Sequence, residues 1–212
     1  MGLGKRIESS VRGLVSRSAS DILQWQRGGF TTPPPQAVKI SMLANYMESY
    51  GLKKFIETGT FRGSTLCHMA KRGYDCMSIE LADDLHQAAK RKFASYSNVQ
   101  LLLGDSGNVL PRILNTLSEP ALFWLDGHYS GGPTARADKD TPITTELEAI
   151  LNHRVEGHVI LIDDARLFNG ENDYPPLHEL LTVISRNGRF RYEVHCDSIH
   201  LIPTSKRSLR AA

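Results

Sequence analysis

Acidic residues placed directly after apolar runs are the part of this chain best suited to chemistry. The run Trp124-Leu125-Asp126-Gly127-His128 and the run Ile160-Leu161-Ile162-Asp163-Asp164 each end a buried-type apolar stretch in aspartate. Two unit charges about 4 Å apart repel by roughly 4 kcal/mol at an effective dielectric of 20. A proton or a cation must join such a group to hold it together. A hard divalent cation such as Mg²⁺ takes carboxylate oxygens and completes its octahedron with water and substrate oxygens. Asp126, Asp163 and Asp164 are therefore the candidate metal ligands. If repulsion dominates, neutralising Asp126 or Asp163 should leave the fold intact and raise its stability without metal. His128 is a fourth ligand or a general base, since its ordinary pKa of about 6.5 suits neutral pH. The plainer alternative makes the aspartates turn caps and His128 a structural donor.

A second group of residues lies earlier in the chain. Glu57-Thr58-Gly59-Thr60-Phe61-Arg62-Gly63-Ser64-Thr65 joins a short apolar run to a helical pattern. Gly59 and Gly63 let a backbone turn tightly and approach a ligand. Ser64 or Thr65 is placed to cap the helix that follows. Ser78-Ile79-Glu80 and Gly104-Asp105-Ser106 end two more runs in carboxylates. Glu80 can accept bonds from a pair of ligand hydroxyls, and Asp105 is either a ligand contact or the cap of the next helix.

The elements that position these residues alternate. Periodicity predicts helices over 36–50, 64–72, 82–94, 107–117, 142–153 and 175–186. It predicts strands over 54–57, 75–80, 99–103, 121–125 and 158–162, then a closing pair over 190–195 and 199–203. Five strands separated by helices imply a parallel sheet covered on both faces. Cys196-Asp197-Ser198 leaves room only for a tight turn, so the last strand runs antiparallel to its neighbour. The expected fold is α/β: a doubly wound, Rossmann-like, seven-stranded sheet, mostly parallel, ending in an antiparallel hairpin. In such sheets ligands lie beyond the carboxyl ends of the strands, where all the acidic residues above fall.

This order of elements resembles class I methyltransferases that use S-adenosylmethionine (SAM). The loop from Glu57 to Thr65 is similar to their acidic-x-Gly-x-Gly-x-Gly loop, with Phe61 in place of the middle glycine. The resemblance implies that Glu57, Gly59, Thr60, Phe61, Gly63, Ser64, Thr65, Glu80, Asp105, Ser106 and Asp126 line the cofactor, with Glu80 on the ribose and Asp105 on the adenine. A dinucleotide is the competing ligand for a Gly-bearing loop, and Arg62 suits a phosphate. Acidic residues at three successive strand tips repel phosphates, whereas SAM carries a sulfonium and no phosphate.

The runs around Asp126 and Asp163 resemble the metal-dependent macrocin- and novobiocin-type O-methyltransferases and the cephalosporin-hydroxylase-like group. That resemblance covers residues 52 to 203 and implies Mg²⁺ on Asp126, Asp163 and Asp164, with Asp126 or His128 as base. The chain departs from the family's pattern in two places. Asp126-Gly127-His128 stands for Asp-Gly-Asp, and Ala165-Arg166 stands where the family has an aromatic. The fourth strand does not end in the Asp/Asn-Pro-Pro-aromatic sequence of many amino-methylating enzymes. The expected activity is O-methylation of a hydroxyl on a sugar, polyol or other small molecule. A metal-dependent hydrolase or hydroxylase on the same sheet, or a non-catalytic SAM-binding module, are the alternatives.

Composition agrees with an ordinary globular protein: 212 residues, 41% hydrophobic and 23% charged, with a net charge of +2. So small a charge gives no reason to expect a nucleic-acid or membrane partner. No apolar run approaches the roughly 20 residues of a membrane span. Neither a secretory leader nor paired cysteine spacing is visible, so Cys67, Cys76 and Cys196 read as reduced thiols of a cytoplasmic protein. Residues 1–35 form an extension, with an amphipathic helix over 7–26 and a break at Pro33-Pro34-Pro35, serving as a lid or an oligomer contact. Residues 36–212 form the catalytic domain. The loop 129–141 is placed to close over substrate. His68, His86, His153, His158 and His178 show no ligand spacing, and His195 and His200 carry no assignment.

Overall fold

The computed structural model of the protein describes residues 19–127 and 141–205. After a helix through residues 19–27 (α1), the chain runs α2 (Gln36–Ser49), β1 (Lys54–Thr58), α3 (Ser64–Lys71), β2 (Asp75–Glu80), α4 (Asp83–Lys92) and β3 (Val99–Leu103). It continues with α5 (Ser106–Thr116), β4 (Ala121–Leu125), α6 (Ile143–Leu151), β5 (Val159–Ile162), a single 3-10 turn (Ala165–Leu167), α7 (Leu177–Asn187), β6 (Phe190–His195) and β7 (Ser198–Pro203). The strands form one sheet in the order β3-β2-β1-β4-β5-β7-β6. All neighbours are parallel except β5–β7 and β6–β7. This is the fold expected from the sequence, with the added 3-10 turn.

Alternation along the central strands explains why helices cover both faces. Ile56, Phe123, Leu125, Ile160 and Ile162 point into one core, with Leu110 and Ile113 of α5, Leu147 and Ile150 of α6 and Ile184 of α7. Phe55, Leu122, Trp124, Val159 and Leu161 point into the other, with Leu43 and Met47 of α2, Leu66 and Met69 of α3 and Phe93 after α4. Strands buried on both faces read as continuous apolar runs, which is why β4 and β5 were legible. Trp124, Phe55 and Phe123 are the bulkiest of the fully buried side chains.

The closing hairpin turns on Cys196 and Asp197, both at positive φ (50° and 57°), between the paired residues His195 and Ser198. Positive φ at both central residues is the type I′ arrangement, whose twist matches that of paired strands. Of the three free cysteines, Cys76 is buried and the other two are only partly so. Within the N-terminal extension, the predicted helix is described from residue 19 onward, where it is largely exposed. The loop predicted to close over substrate lies outside the described residues up to position 140. Among the described residues, no helix is long and apolar enough to cross a membrane.

Candidate functional site

β1 delivers the chain into the loop 59–63 at the carboxyl edge of the sheet. Gly59 has φ +82°, and a Cβ there would lie 2.4 Å from the carbonyl oxygen of Asp126. Only glycine lets the two strand-end segments pass so closely. Gly63 has φ +62° and is the N-cap of α3, with no side-chain cap. The expected capping by Ser64 or Thr65 is therefore not what the structure contains. Ser64 is already helical, and the Thr65 hydroxyl accepts a bond from Gln36 Nε2 (2.8 Å). Phe61, in the place of the middle glycine, takes a left-handed conformation (φ 46°).

Glu80 pins this conformation. Its Oε2 accepts from the Phe61 backbone N–H (2.7 Å) and its Oε1 from that of Ala82 (3.0 Å). Each carboxylate oxygen has two acceptor sites, so Glu80 keeps capacity for a ligand while shaping the loop. Glu57 is buried and accepts from Ser78 Oγ (2.7 Å), whose oxygen lies 2.5 Å from Thr60 Oγ1. A hydroxyl has one proton, so the chain of donors runs Thr60 to Ser78 to Glu57. Burial pushes the Glu57 carboxyl up to about 8, the Ser78 bond opposes it, and the Glu80 charge adds to it. Glu57 and Thr60 thus face the interior of the loop. Asp105 is the N-cap residue of α5 by backbone position, yet its side chain makes no cap bond, so its carboxylate is not consumed by the helix. Ser106 is the buried first residue of that helix.

The aspartates meet at the neighbouring tips. The Asp126 N–H donates to Thr58 O (3.2 Å) and that of Asp163 to Leu125 O (3.0 Å), which extends the β1–β4–β5 ladder by one step. Oxygens of Asp126, Asp163 and Asp164 all lie within 4.8 Å of one another. Asp164 has a left-handed backbone (φ 54°), which turns the chain into the 3-10 segment. Burial and the Asp163 charge hold the Asp126 carboxyl well above its ordinary value. Asp163 is raised by burial, against the pull of Lys39. His128 lies outside the described residues.

A residue the motif reading did not reach stands among these carboxylates. Lys39, on α2, places Nζ 2.5 Å from Asp163 Oδ2 and 3.7 Å from Asp164 Oδ1, with its side chain 10% exposed. Burial pulls the Lys39 pKa down, and the charges of Asp163, Asp164 and Asp126 outweigh it, leaving it above 10.5. Arg166 binds Asp164 Oδ1 (2.8 Å) and also Asp197 on the hairpin turn. The aspartates are therefore partly neutralised by the protein's own cations. This corrects the expectation that repulsion alone governs them.

A cavity of about 10 Å³ lies beneath the cluster, lined by Gly127, Thr141, Glu146, Asp163 and Tyr174 among others. That is room for one water. Glu146 of α6 is 1% exposed, with the Ser106 and Thr58 hydroxyls beside its carboxylate. Burial pushes its carboxyl up to about 7. At the opposite end of the sheet, His153 and His158 stack (ring centroids 5.1 Å apart). The Ala121 N–H donates to His158 Nδ1 (3.1 Å), the ring nitrogens His158 Nε2 and His153 Nδ1 are 2.8 Å apart, and His153 Nε2 is 2.8 Å from Leu114 O. One neutral tautomer of each ring satisfies the whole chain, so this pair is structural.

No family model matches the sequence, and no curated protein matches it. Solved structures do. An O-methyltransferase from Bacillus cereus in complex with SAH, the demethylated product of SAM, superposes with a TM-score of 0.61 at 16% identity, over 88% of this chain and 90% of that one. TomG from Streptomyces achromogenes, an O-methyltransferase of tomaymycin synthesis in complex with SAM, gives 0.59 at 14% identity, over 88% and 89%. The SAH-bound Podospora anserina methyltransferase PaMTH1 gives 0.60 at 14%, over 97% and 98%. The fold is that of the class I methyltransferases. At such identities the likeness is one of fold, and the chemistry must be argued from the residues.

Proposed function

We propose that the protein is a SAM-dependent methyltransferase acting on a hydroxyl of a sugar, polyol or other small molecule, assisted by a divalent cation such as Mg²⁺. One observation carries the reading. The carboxylates Glu80, Asp105, Asp126, Asp163 and Asp164 end successive parallel strands along one sheet edge, and Asp105 is left uncapped there. The residues fit the cofactor. Glu80 retains acceptor sites for ribose hydroxyls, Asp105 for the adenine amino group, and the carboxylates suit a sulfonium. The donor set fits a hard cation, because three carboxylate oxygens converge within 4.8 Å.

When bound, SAM supplies a methyl group on a cationic sulfur, and Mg²⁺ at Asp126, Asp163 and Asp164 supplies Lewis acidity toward the acceptor hydroxyl. The chain's own residues position and deprotonate. The loop 59–63 and Glu80 fix one partner, and the two aspartate tips fix the other, which converts an encounter into an oriented displacement. Asp126 is the candidate to accept the hydroxyl proton; His128 is the second candidate for that role.

Calorimetry with SAH, followed by methyl transfer to a panel of sugars and polyols with and without EDTA, tests the proposal. Micromolar binding with metal-restored turnover supports it. No SAH binding alongside retained metal binding points to a hydrolase or hydroxylase on the same sheet. SAH binding with no turnover on any acceptor points to a binding module.

A further inference from the structure

A magnesium ion bound to Asp163 would sit about 2.0–2.1 Å from a carboxylate oxygen. The Lys39 ammonium already lies 2.5 Å from Asp163 Oδ2, and its reach to Asp164 Oδ1 is 3.7 Å. It approaches over the Trp124 ring, 6.0 Å from the centroid. A protonated lysine has three donors and no lone pair to offer a metal. Each oxygen has a second acceptor site, but an ammonium and a divalent ion held side by side on the same carboxylates repel each other, so the two compete for the cluster. Lys39 is also no surface residue that strayed inward. It belongs to α2, whose Leu43 and Met47 are fully buried and whose Gln36 bonds Thr65 on α3.

We propose that Lys39 is a resident cation of the Asp126–Asp163–Asp164 cluster, beside Arg166 on Asp164, and that a divalent ion enters only by displacing it. The inference rests on the reading of this cluster as a cation site and is independent of methyl transfer. A metal-free chain keeps its carboxylates partly compensated, and metal affinity is set by how far α2 yields. Because α2 also bonds α3 behind the cofactor loop, ion exchange at the aspartates is linked to that loop.

Mn²⁺ titration by calorimetry, with melting temperature as a second readout, tests this on the wild type and on Lys39→Met, Lys39→Gln and Lys39→Arg. Lys39→Met and Lys39→Gln should bind Mn²⁺ roughly tenfold or more tightly than the wild type, about 1.4 kcal/mol, and should gain more in melting temperature from the metal. Lys39→Arg should bind as weakly as the wild type. Unchanged or weaker Mn²⁺ binding by both neutral variants overturns the proposal. If both are unfolded without metal, recovery with Mn²⁺ and not with Na⁺ supports it, and failure to recover overturns it. Turnover of the wild type that survives chelation, with tight Mn²⁺ binding by Lys39→Met, would remove metal assistance from the proposed function and leave this inference standing.

Discussion

Asp163→Asn separates two accounts of the acidic edge by the sign of its effect. If repulsion among the three aspartates dominated, neutralising one would stabilise the metal-free protein. The Lys39–Asp163 contact at 2.5 Å, with side chains 10% and 3% exposed, predicts the reverse. Removing one member of a buried ion pair costs up to about 3–5 kcal/mol, an upper limit here because Asp164, 3.7 Å from Lys39 Nζ, still offsets that charge in part. For a domain of this size, 1 kcal/mol moves the melting temperature by about 2–4 °C, so a drop of no more than about 6–20 °C is expected. The assay is thermal unfolding of both proteins in EDTA at neutral pH and equal ionic strength, with urea denaturation to convert the shift into free energy. A variant as stable as the wild type, or more stable, would refute the assignment of Lys39 as counter-ion. The asparagine variant should also lose divalent-ion binding.

Three further outcomes are expected. Glu80→Gln places an NH₂ group where one of two backbone N–H donors needs an acceptor. Losing charge-assisted bonds should weaken SAH binding by about 1.5–3 kcal/mol, roughly 10- to 150-fold in Kd by calorimetry; a change under twofold would take Glu80 out of the site. His158, buried and neutral with its pKa lowered to about 4 by burial and by His153, binds fewer protons folded than unfolded between pH 4 and 6.5. Its contribution is therefore complete above pH 6.5 and is lost as pH falls toward 4, by about 3 kcal/mol. Glu57 and Glu146, raised to about 8 and about 7, act in the opposite sense, so the readout is the difference in pH slope between wild type and His158→Gln in urea unfolding. Equal slopes would contradict it. Gly59→Ala should abolish folding or SAH binding, because its Cβ would lie 2.4 Å from the Asp126 carbonyl oxygen at φ +82°; soluble protein with wild-type affinity would be the contrary result.

The sheet and its acidic edge were legible because both are local in sequence. Strands buried on two faces appear as apolar runs, and in a parallel sheet whatever follows each run lands on the same side. Asp126 and Asp163 could be placed side by side from that rule, and the register Leu125 to Ile162 agrees. What faces the edge from other elements was not legible in the same way. Lys39 lies 124 residues before its partner Asp163, on a helix whose pattern marks only its apolar side, so it reads like any solvated lysine. Glu146 reads as an acid in a helix's first turn, where the dipole favours it, and nothing local shows that it is buried beneath the aspartate cluster.

Gly59 shows how the two kinds of information combine. The sequence suggests a glycine that admits a ligand, and the atom for which the structure shows it making room is the Asp126 carbonyl oxygen. The loop 59–63 and the segment bearing the first aspartate are therefore packed against each other through backbone, with no side chain between them. Lys39 grips the second aspartate from a helix that also bonds α3 behind the loop through Gln36 and Thr65. The loop that would hold the cofactor and the carboxylates that would hold the acceptor are thus joined twice, once by backbone contact and once through α2. A change in the charge state of the aspartates has a route to the cofactor loop that needs no motion of the sheet itself.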